Sequence, residues 1–386
     1  MSKLSLQYNA VMLAHAGEIG IKSKTTRKFM IKQLYRNITK KLPDYNLNFK
    51  NISNRTIINS DQAETLAETI ADTIFGISYT APIYLFKWSD LDQLKATFIS
   101  FASQFMAAGK SFGFDARTTG KNRPHSQSLK VDLGSLLYEA FNGSIKVDLT
   151  NPDFYFTVEV REEYAWIYFK TYRGYDGFPQ GAQKGILFGI IRDWILDYTA
   201  VFLAMKRGVN VRPIRFITKA EDQSDDMKSW HDQFIAKFSF KSCIDIPIYD
   251  LLAQWQKLFN SNLCSACMFF SEQLLANASS EKFAHGFVSG VKLDSLQGDI
   301  TSAGLKWLEE NIKTFKIRPN IVQVDDDITT NNFFRTFPST GSCCTFQNKR
   351  LISYNLNQKE KELILEKVSE YQDKYFESYL DINEAK

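Results

Sequence analysis

Between Gly174 and Gly181 the chain places three glycines and a proline within eight residues: Gly174, Gly177, Pro179 and Gly181. No regular element tolerates that density, because glycine costs a helix or strand interior roughly 0.5–1 kcal/mol and proline removes a backbone donor. The segment therefore reads as a break, and it divides the 386 residues into two parts that must each build a core. At roughly 100 to 200 residues per domain, two or three domains are expected. A hydrophobic share of 44% with 14% aromatics can fill them, which excludes a disordered chain.

The two parts carry different patterns. Residues 1–86 read as β-α-β-β-α-β: a strand from Leu4 to Leu13, a basic amphipathic helix over Thr25–Leu42, short strands at 46–50 and 55–58, a helix over Gln62–Ile74, and a strand over Thr80–Phe86. That order is the ferredoxin-like module. Residues 87–173 form a second small α/β block, with helices predicted up to Phe105 and over Ser126–Asn142, and strands at 111–116, 154–160 and 165–171. From 174 to 386 apolar runs alternate with helical patterns, beginning with Ile186–Ile191 and the helix Trp194–Arg207. A helix is read over Ser302–Phe315 and another over Gln358–Tyr375. Such alternation predicts an α/β fold with a doubly wound parallel sheet.

Net charge is only +4, so the whole-chain balance says nothing about nucleic acid. Its distribution does. Residues 1–180 hold 22 basic against 17 acidic side chains, and ten of the basic ones face two acidic ones within residues 1–50. The first twenty residues lack the apolar run of a signal peptide. The longest apolar stretch, Gly185–Met205, carries Arg192, Asp193 and Asp197, and charges at bilayer depth cost roughly 2.5–3.5 kcal/mol each on insertion scales. No membrane span is expected, and the chain reads as cytoplasmic. Five cysteines are too few and odd in number for a disulfide framework; they fit a reducing compartment and point to chemistry or metal.

Several strings occur in an order that resembles tRNA 4-thiouridine synthetases of the ThiI type. They are Gly17-Glu18-Ile19-Gly20-Ile21-Lys22, Phe75-Gly76-Ile77, Lys146-Val147-Asp148-Leu149, Val158-Glu159-Val160-Arg161, the glycine segment, Leu203-Ala204-Met205-Lys206-Arg207-Gly208 and Cys343-Cys344-Thr345-Phe346. The resemblance runs through nearly the whole chain. It implies a ferredoxin-like domain at 1–86, a THUMP RNA-binding domain at 87–173 and a PP-loop ATP-pyrophosphatase-like domain at 174–386. In that family the first two domains grip tRNA, the third adenylates a uridine, and a sulfur nucleophile displaces AMP. It also implies a homodimer and, with no rhodanese-like extension read after the last domain, an external sulfur donor.

Two basic patches are the candidate RNA-binding surface. One is Lys22, Lys24, Arg27, Lys28 and Lys32; the other is Lys110, Arg117, Lys121, Arg123 and Lys130, interspersed with Thr118, Thr119, Asn122, His125 and Ser126 as neutral donors. By composition alone both would be ordinary solvated faces. The resemblance favours RNA, recognised by shape and backbone.

Where the family carries a Ser-Gly-Gly-x-Asp-Ser loop, this chain reads Ile191-Arg192-Asp193-Trp194-Ile195-Leu196-Asp197, and no glycine occurs from Ile190 through Arg207. A phosphate cradle needs glycines so that backbone N–H groups can turn onto the anion. A helix N-terminus attracts an anion by about 0.3–1 kcal/mol. A carboxylate about 4 Å from a phosphate opposes it by about 4 kcal/mol at an effective dielectric of 20. Asp193 is expected to cap the helix starting at Trp194. A second family segment appears as Ser289-Gly290-Val291-Lys292-Leu293-Asp294-Ser295, short of its acidic residue and second glycine. ATP and its Mg2+ are therefore not expected to bind as they do in the family.

Cys264-x-x-Cys267 and Cys343 fall where some archaeal members hold an iron–sulfur cluster, and Cys343 is also where the family places a catalytic or persulfide-bearing cysteine. From spacing alone, structural zinc with Cys344, Cys243 or His285 as a fourth ligand, and inert buried thiols, stay open. The sequence thus predicts a tRNA-binding protein with a degenerate adenylation loop, either a pseudoenzyme or one whose activating subunit is another chain. The alternatives are a working tRNA sulfurtransferase with a remodelled nucleotide site and Cys343 as sulfur carrier, and an iron–sulfur or zinc binding module on this fold.

Overall fold

A computed structural model of the chain describes residues 6–120, 124–192, 194–218, 225–259, 263–280, 284–290, 315–317, 332–336, 338 and 356–376. The chain folds into two compact units that meet in sequence between Pro179 and Gln180.

The first unit is built on β1 (Ala10–His15), α1 (Gly17–Gly20), α2 (Lys24–Lys41), β2 (Phe49–Ile52), β3 (Arg55–Asn59), α3 (Ala63–Thr73) and β4 (Ile77–Lys87). It continues with α4 (Leu91–Ala102), β5 (Ser111–Thr119), α5 (Ser126–Ala140), β6 (Lys146–Val147), β7 (Phe154–Arg161), β8 (Tyr164–Tyr168) and β9 (Tyr172–Arg173). Helix α2 starts where Ser23 accepts from the Thr26 amide at 3.3 Å, and it buries Met30, Leu34 and Ile38, spaced by four. Helix α3 buries Ala63, Leu66, Ala67, Ile70 and Ala71, the stripe of a helix lying on a sheet. β1 is shorter than its apolar pattern predicts. Upstream of it, Asn9 bonds the Leu85 backbone through both side-chain atoms, at 2.8 and 3.0 Å, in place of a strand ladder.

All nine strands form one sheet, ordered β2-β3-β1-β4-β8-β7-β5-β6, with β9 also on β4. The first four have the ferredoxin-like order. β4 belongs to both halves: Ile77–Ile83 pairs β1, and Tyr84–Lys87 pairs β8. The cores interlock as well, because Trp166 and Tyr168 of β8 pack with Ala10, Met12, Ile57 and Ala81. The glycine segment, read as a break, is strapped to this unit instead. Gly174 N–H donates to the Ser78 carbonyl at 2.8 Å and Gly76 N–H to the Asp176 carbonyl at 2.8 Å. A Cβ on Gly174 would lie 2.3 Å from the Ile77 oxygen, so glycine is required there for close approach rather than for freedom.

The second unit contains β10 (Ile186–Ile191), α6 (Ile195–Lys206), β11 (Asn210–Ile217), α7 (Asp225–Phe238), β12 (Ile244–Pro247), α8 (Tyr249–Phe259), α9 (Leu263–Ser280), β13 (Gly286–Val288) and β14 (Phe315–Ile317), then the terminal helix Gln358–Phe376. Its five strands are all parallel in the order β12-β11-β10-β13-β14. The chain leaves β10 toward β11 and later returns to β13 on the other side. The crevice beyond the ends of β10 and β13 is thus a topological switch point, where open α/β sheets bind ligands. Helix α8 has no counterpart in the sequence reading, although Leu251, Leu252, Trp255 and Phe259 form its buried face. Phe315, read as the end of a helix, opens a strand; residues 302–314 of that helix lie outside the described residues. Among the described residues no helix is long and apolar enough to cross a membrane.

Candidate functional site

The first basic patch is assembled around the start of α2. Lys24, Lys28 and Lys32 are exposed, Lys22 and Arg27 half-buried. Arg27 donates to the Lys22 carbonyl at 3.2 Å, and the Lys22 ammonium stands 5.1 Å from the Phe178 ring centroid. Exposed Ile21 and Phe29 lie among these cations. Of the second patch, Lys121 and Arg123 lie outside the described residues. Lys110 is tied to Asp153 at 2.9 Å, and Lys130 is half-buried on α5.

Arg117 belongs to a cluster that the basic-loop reading does not include. Glu159, fully buried on β7, is held by Arg161 at 2.7 Å, by Arg55 and Arg117 at 3.8 Å each, and by the Tyr168 hydroxyl at 3.0 Å. Arg117 also pairs with Asp115 at 3.1 Å. Burial opposes the charge on Arg117, but Tyr168, Tyr79 and Glu159 outweigh it and its pKa is raised. Three guanidinium groups on one buried carboxylate leave surplus positive charge on the sheet, drawn from β3, β5 and β7. The sequence signal was Glu159 between Val158 and Val160: a charge inside an otherwise apolar strand needs partners.

In the second unit Ile191 ends β10 and Arg192 follows it, 3% exposed. Asp193 lies outside the described residues. The helix-capping position falls on Trp194, with no side-chain cap bond, so the expected start at Trp194 moves to Ile195. The carboxylate at this end of the sheet is Asp197, in the first turn of α6 and fully buried. Arg192 grips it as a fork, Nε to Oδ2 at 2.9 Å and Nη2 to Oδ1 at 2.8 Å. Asp197 also accepts from the Arg192 amide at 3.2 Å and the Gly290 amide at 2.9 Å. Burial disfavours the Arg192 charge, while Asp197, then Cys267 and Glu272, more than offset it and its pKa is raised. A Cβ on Gly290 would sit 2.3 Å from the Leu196 carbonyl carbon and 2.5 Å from the Asp197 nitrogen. The loop after β13 is therefore in contact with the first turn of α6, and a side-chain carboxylate holds backbone N–H groups of the kind a phosphate would use.

Cys264 and Cys267 lie three apart near the start of α9, both half-buried and neither in a disulfide. Cys343 and Cys344 lie outside the described residues. The three-donor set among the described residues is a different one, His231, Cys243 and Asp245.

Residues 11–81 match the family model of the ThiI ferredoxin-like domain and residues 89–170 that of the THUMP domain. Fold and matches together define a THUMP-domain protein with a ThiI-type ferredoxin-like domain before it and a parallel α/β unit after it. Along 92% of its length the chain is 25% identical to a Sulfurisphaera tokodaii protein named "Probable tRNA sulfurtransferase", covering 96% of that protein. A protein of the same name from Streptococcus pneumoniae is 28% identical over 59% of this chain, which is 56% of its own length. The chain thus carries the ThiI ferredoxin-like and THUMP domains and is similar along nearly its whole length to a protein named tRNA sulfurtransferase, the resemblance its sequence motifs imply. Among solved structures, a 4-thiouridine synthetase in complex with RNA and bound ATP superposes with a TM-score of 0.71 at 20% identity, covering 96% of this chain and 98% of that one. A Pyrococcus horikoshii protein gives 0.60 at 22% identity, covering 82% and 97%. At these identities the likeness speaks to the fold.

Proposed function

We propose that this protein binds tRNA through its ferredoxin-like and THUMP halves, and that its second unit does not adenylate RNA in the manner of its relatives. The observation that carries the second part is the buried Arg192–Asp197 pair at the switch point. Asp197 occupies the amides of Arg192 and Gly290, and Gly290 touches the backbone of Leu196. Because Arg192 neutralises Asp197, the obstacle is occupancy more than charge: a phosphate entering there has to displace a forked, buried ion pair. For RNA binding the support is the exposed cations of α2, the surplus guanidinium charge around Glu159 and the THUMP match. The protein acts in this reading as a pseudoenzyme or beside an activating subunit, in the cytoplasm.

A working sulfurtransferase with a remodelled site is the second reading, and one observation favours it: among the described residues Arg192 Nη1 is buried without a hydrogen-bond partner, as a group awaiting an anion would be. ATP–pyrophosphate exchange in the presence of tRNA, paired with equilibrium binding of ATP and Mg2+, decides between them. The expected result is no exchange and no saturable binding at millimolar ATP. Exchange above background, abolished by Arg192→Ala in a folded variant, would establish the second reading.

A further inference from the structure

His231 of α7, Cys243 immediately before β12 and Asp245 within β12 bring an imidazole nitrogen, a sulfur and a carboxylate oxygen within 4.8 Å of one another. Cys243 Sγ already lies 3.5 Å from Asp245 Oδ1. Zinc bonds of about 2.0–2.3 Å at tetrahedral angles separate ligand atoms by about 3.3–3.7 Å, so that pair needs no adjustment and the imidazole has about 1 Å to close. His231 is 2% exposed, and its Nδ1 is 2.9 Å from the Tyr198 hydroxyl. An outer hydrogen bond of this type fixes the tautomer and ring orientation of a metal-binding histidine. Burial, then Arg215, hold its pKa down at about 3. Burial, then Asp245, raise the pKa of the Cys243 thiol, while Arg215 opposes them.

We propose that His231, Cys243 and Asp245 form a binding site for a divalent cation of the zinc class, with the fourth position open to solvent on the side of exposed Asp245. A nitrogen, sulfur and oxygen donor set suits zinc and disfavours magnesium or calcium, which take oxygen ligands. β12 is the outer strand of its sheet, so the ion ties helix α7 to an edge. Cys243 loses its proton on binding and its thiolate takes a metal bond, with no redox step. The site is separate from the Cys264, Cys267 and Cys343 set.

The test uses the reduced, chelator-treated full chain and metal alone. Cobalt(II) titration is expected to give a thiolate charge-transfer band saturating at one equivalent. The band should persist in Cys264→Ser/Cys267→Ser/Cys343→Ser/Cys344→Ser, where Cys243 is the one cysteine left of five, and Cys243→Ser in the wild-type background should remove one equivalent of cobalt and its share of the band. Losing an outer-shell partner costs about 10- to 100-fold in metal affinity, so zinc competition should show a loss of about 100-fold or more for Cys243→Ser. Absence of the band in the wild type, or an undiminished band and cobalt stoichiometry in Cys243→Ser, overturns the site. Loss of the band in a quadruple variant with native circular dichroism overturns it as well. If the quadruple variant does not fold, the wild type and Cys243→Ser decide alone.

Discussion

Asp197 and Arg192 show how one pair of side chains sets the character of a crevice. Removing two charges from water is expensive, and a buried pair adds little net stability, but removing one member strands the other at a cost of about 3–5 kcal/mol. Asp197→Ala is therefore expected to destabilise the second unit by about that amount, read as a lower urea midpoint at unchanged slope. A change under 1 kcal/mol would mean that Arg192 is solvated and the crevice open. The sequence showed an arginine and an aspartate five apart where glycines were expected. It did not show that the pair also captures the Gly290 amide, 93 positions away. Glu159 teaches the same point: its burial between two valines was readable, but its partners Arg55 and Arg117 come from other strands.

Strand β4 is the element on which the first unit turns. Its two ends pair different strands, and Trp166 and Tyr168 complete the core under β1 and β3. A fragment ending at residue 88 would lose β8 and β9, leaving Tyr84–Lys87 as an open edge over an incomplete core. It is expected to be unfolded or aggregated by circular dichroism and sedimentation, whereas a fragment ending at Pro179 folds. A monomeric, cooperatively melting short fragment would show the halves to be independent. Most elements were legible because a period of two or 3.6 sustained over five or more residues has a single reading. β6 and β9, two residues each, carry no period at all. Helix α8 follows β12 after a single residue, so its apolar positions merge with those of the strand.

For the molecule as a whole, tRNA affinity is expected to fall with salt by roughly 0.7–0.9 log units per neutralised phosphate. Lys24 and Lys28 are exposed on α2, with no hydrogen-bond or ion-pair partner among the described residues. Replacing both with alanine should weaken binding and flatten the salt slope by about two phosphates' worth, with an unchanged melting temperature. An unaltered slope would remove this face of α2 from the RNA surface. Arg117→Ala is a poorer probe, since it also takes a cation from Glu159. The sequence by itself determined the ferredoxin-like order, the parallel α/β second unit, the resemblance to its tRNA sulfurtransferase relatives and the lack of glycine from Ile190 through Arg207. Those follow from local periodicity and residue type, which the chain carries along its length. Only the tertiary structure decided that the glycine segment is strapped to β4, that Asp197 takes the Gly290 amide, and that His231 meets Cys243 and Asp245. Each depends on atoms far apart in the chain meeting within a few ångströms, and that distance is set by packing.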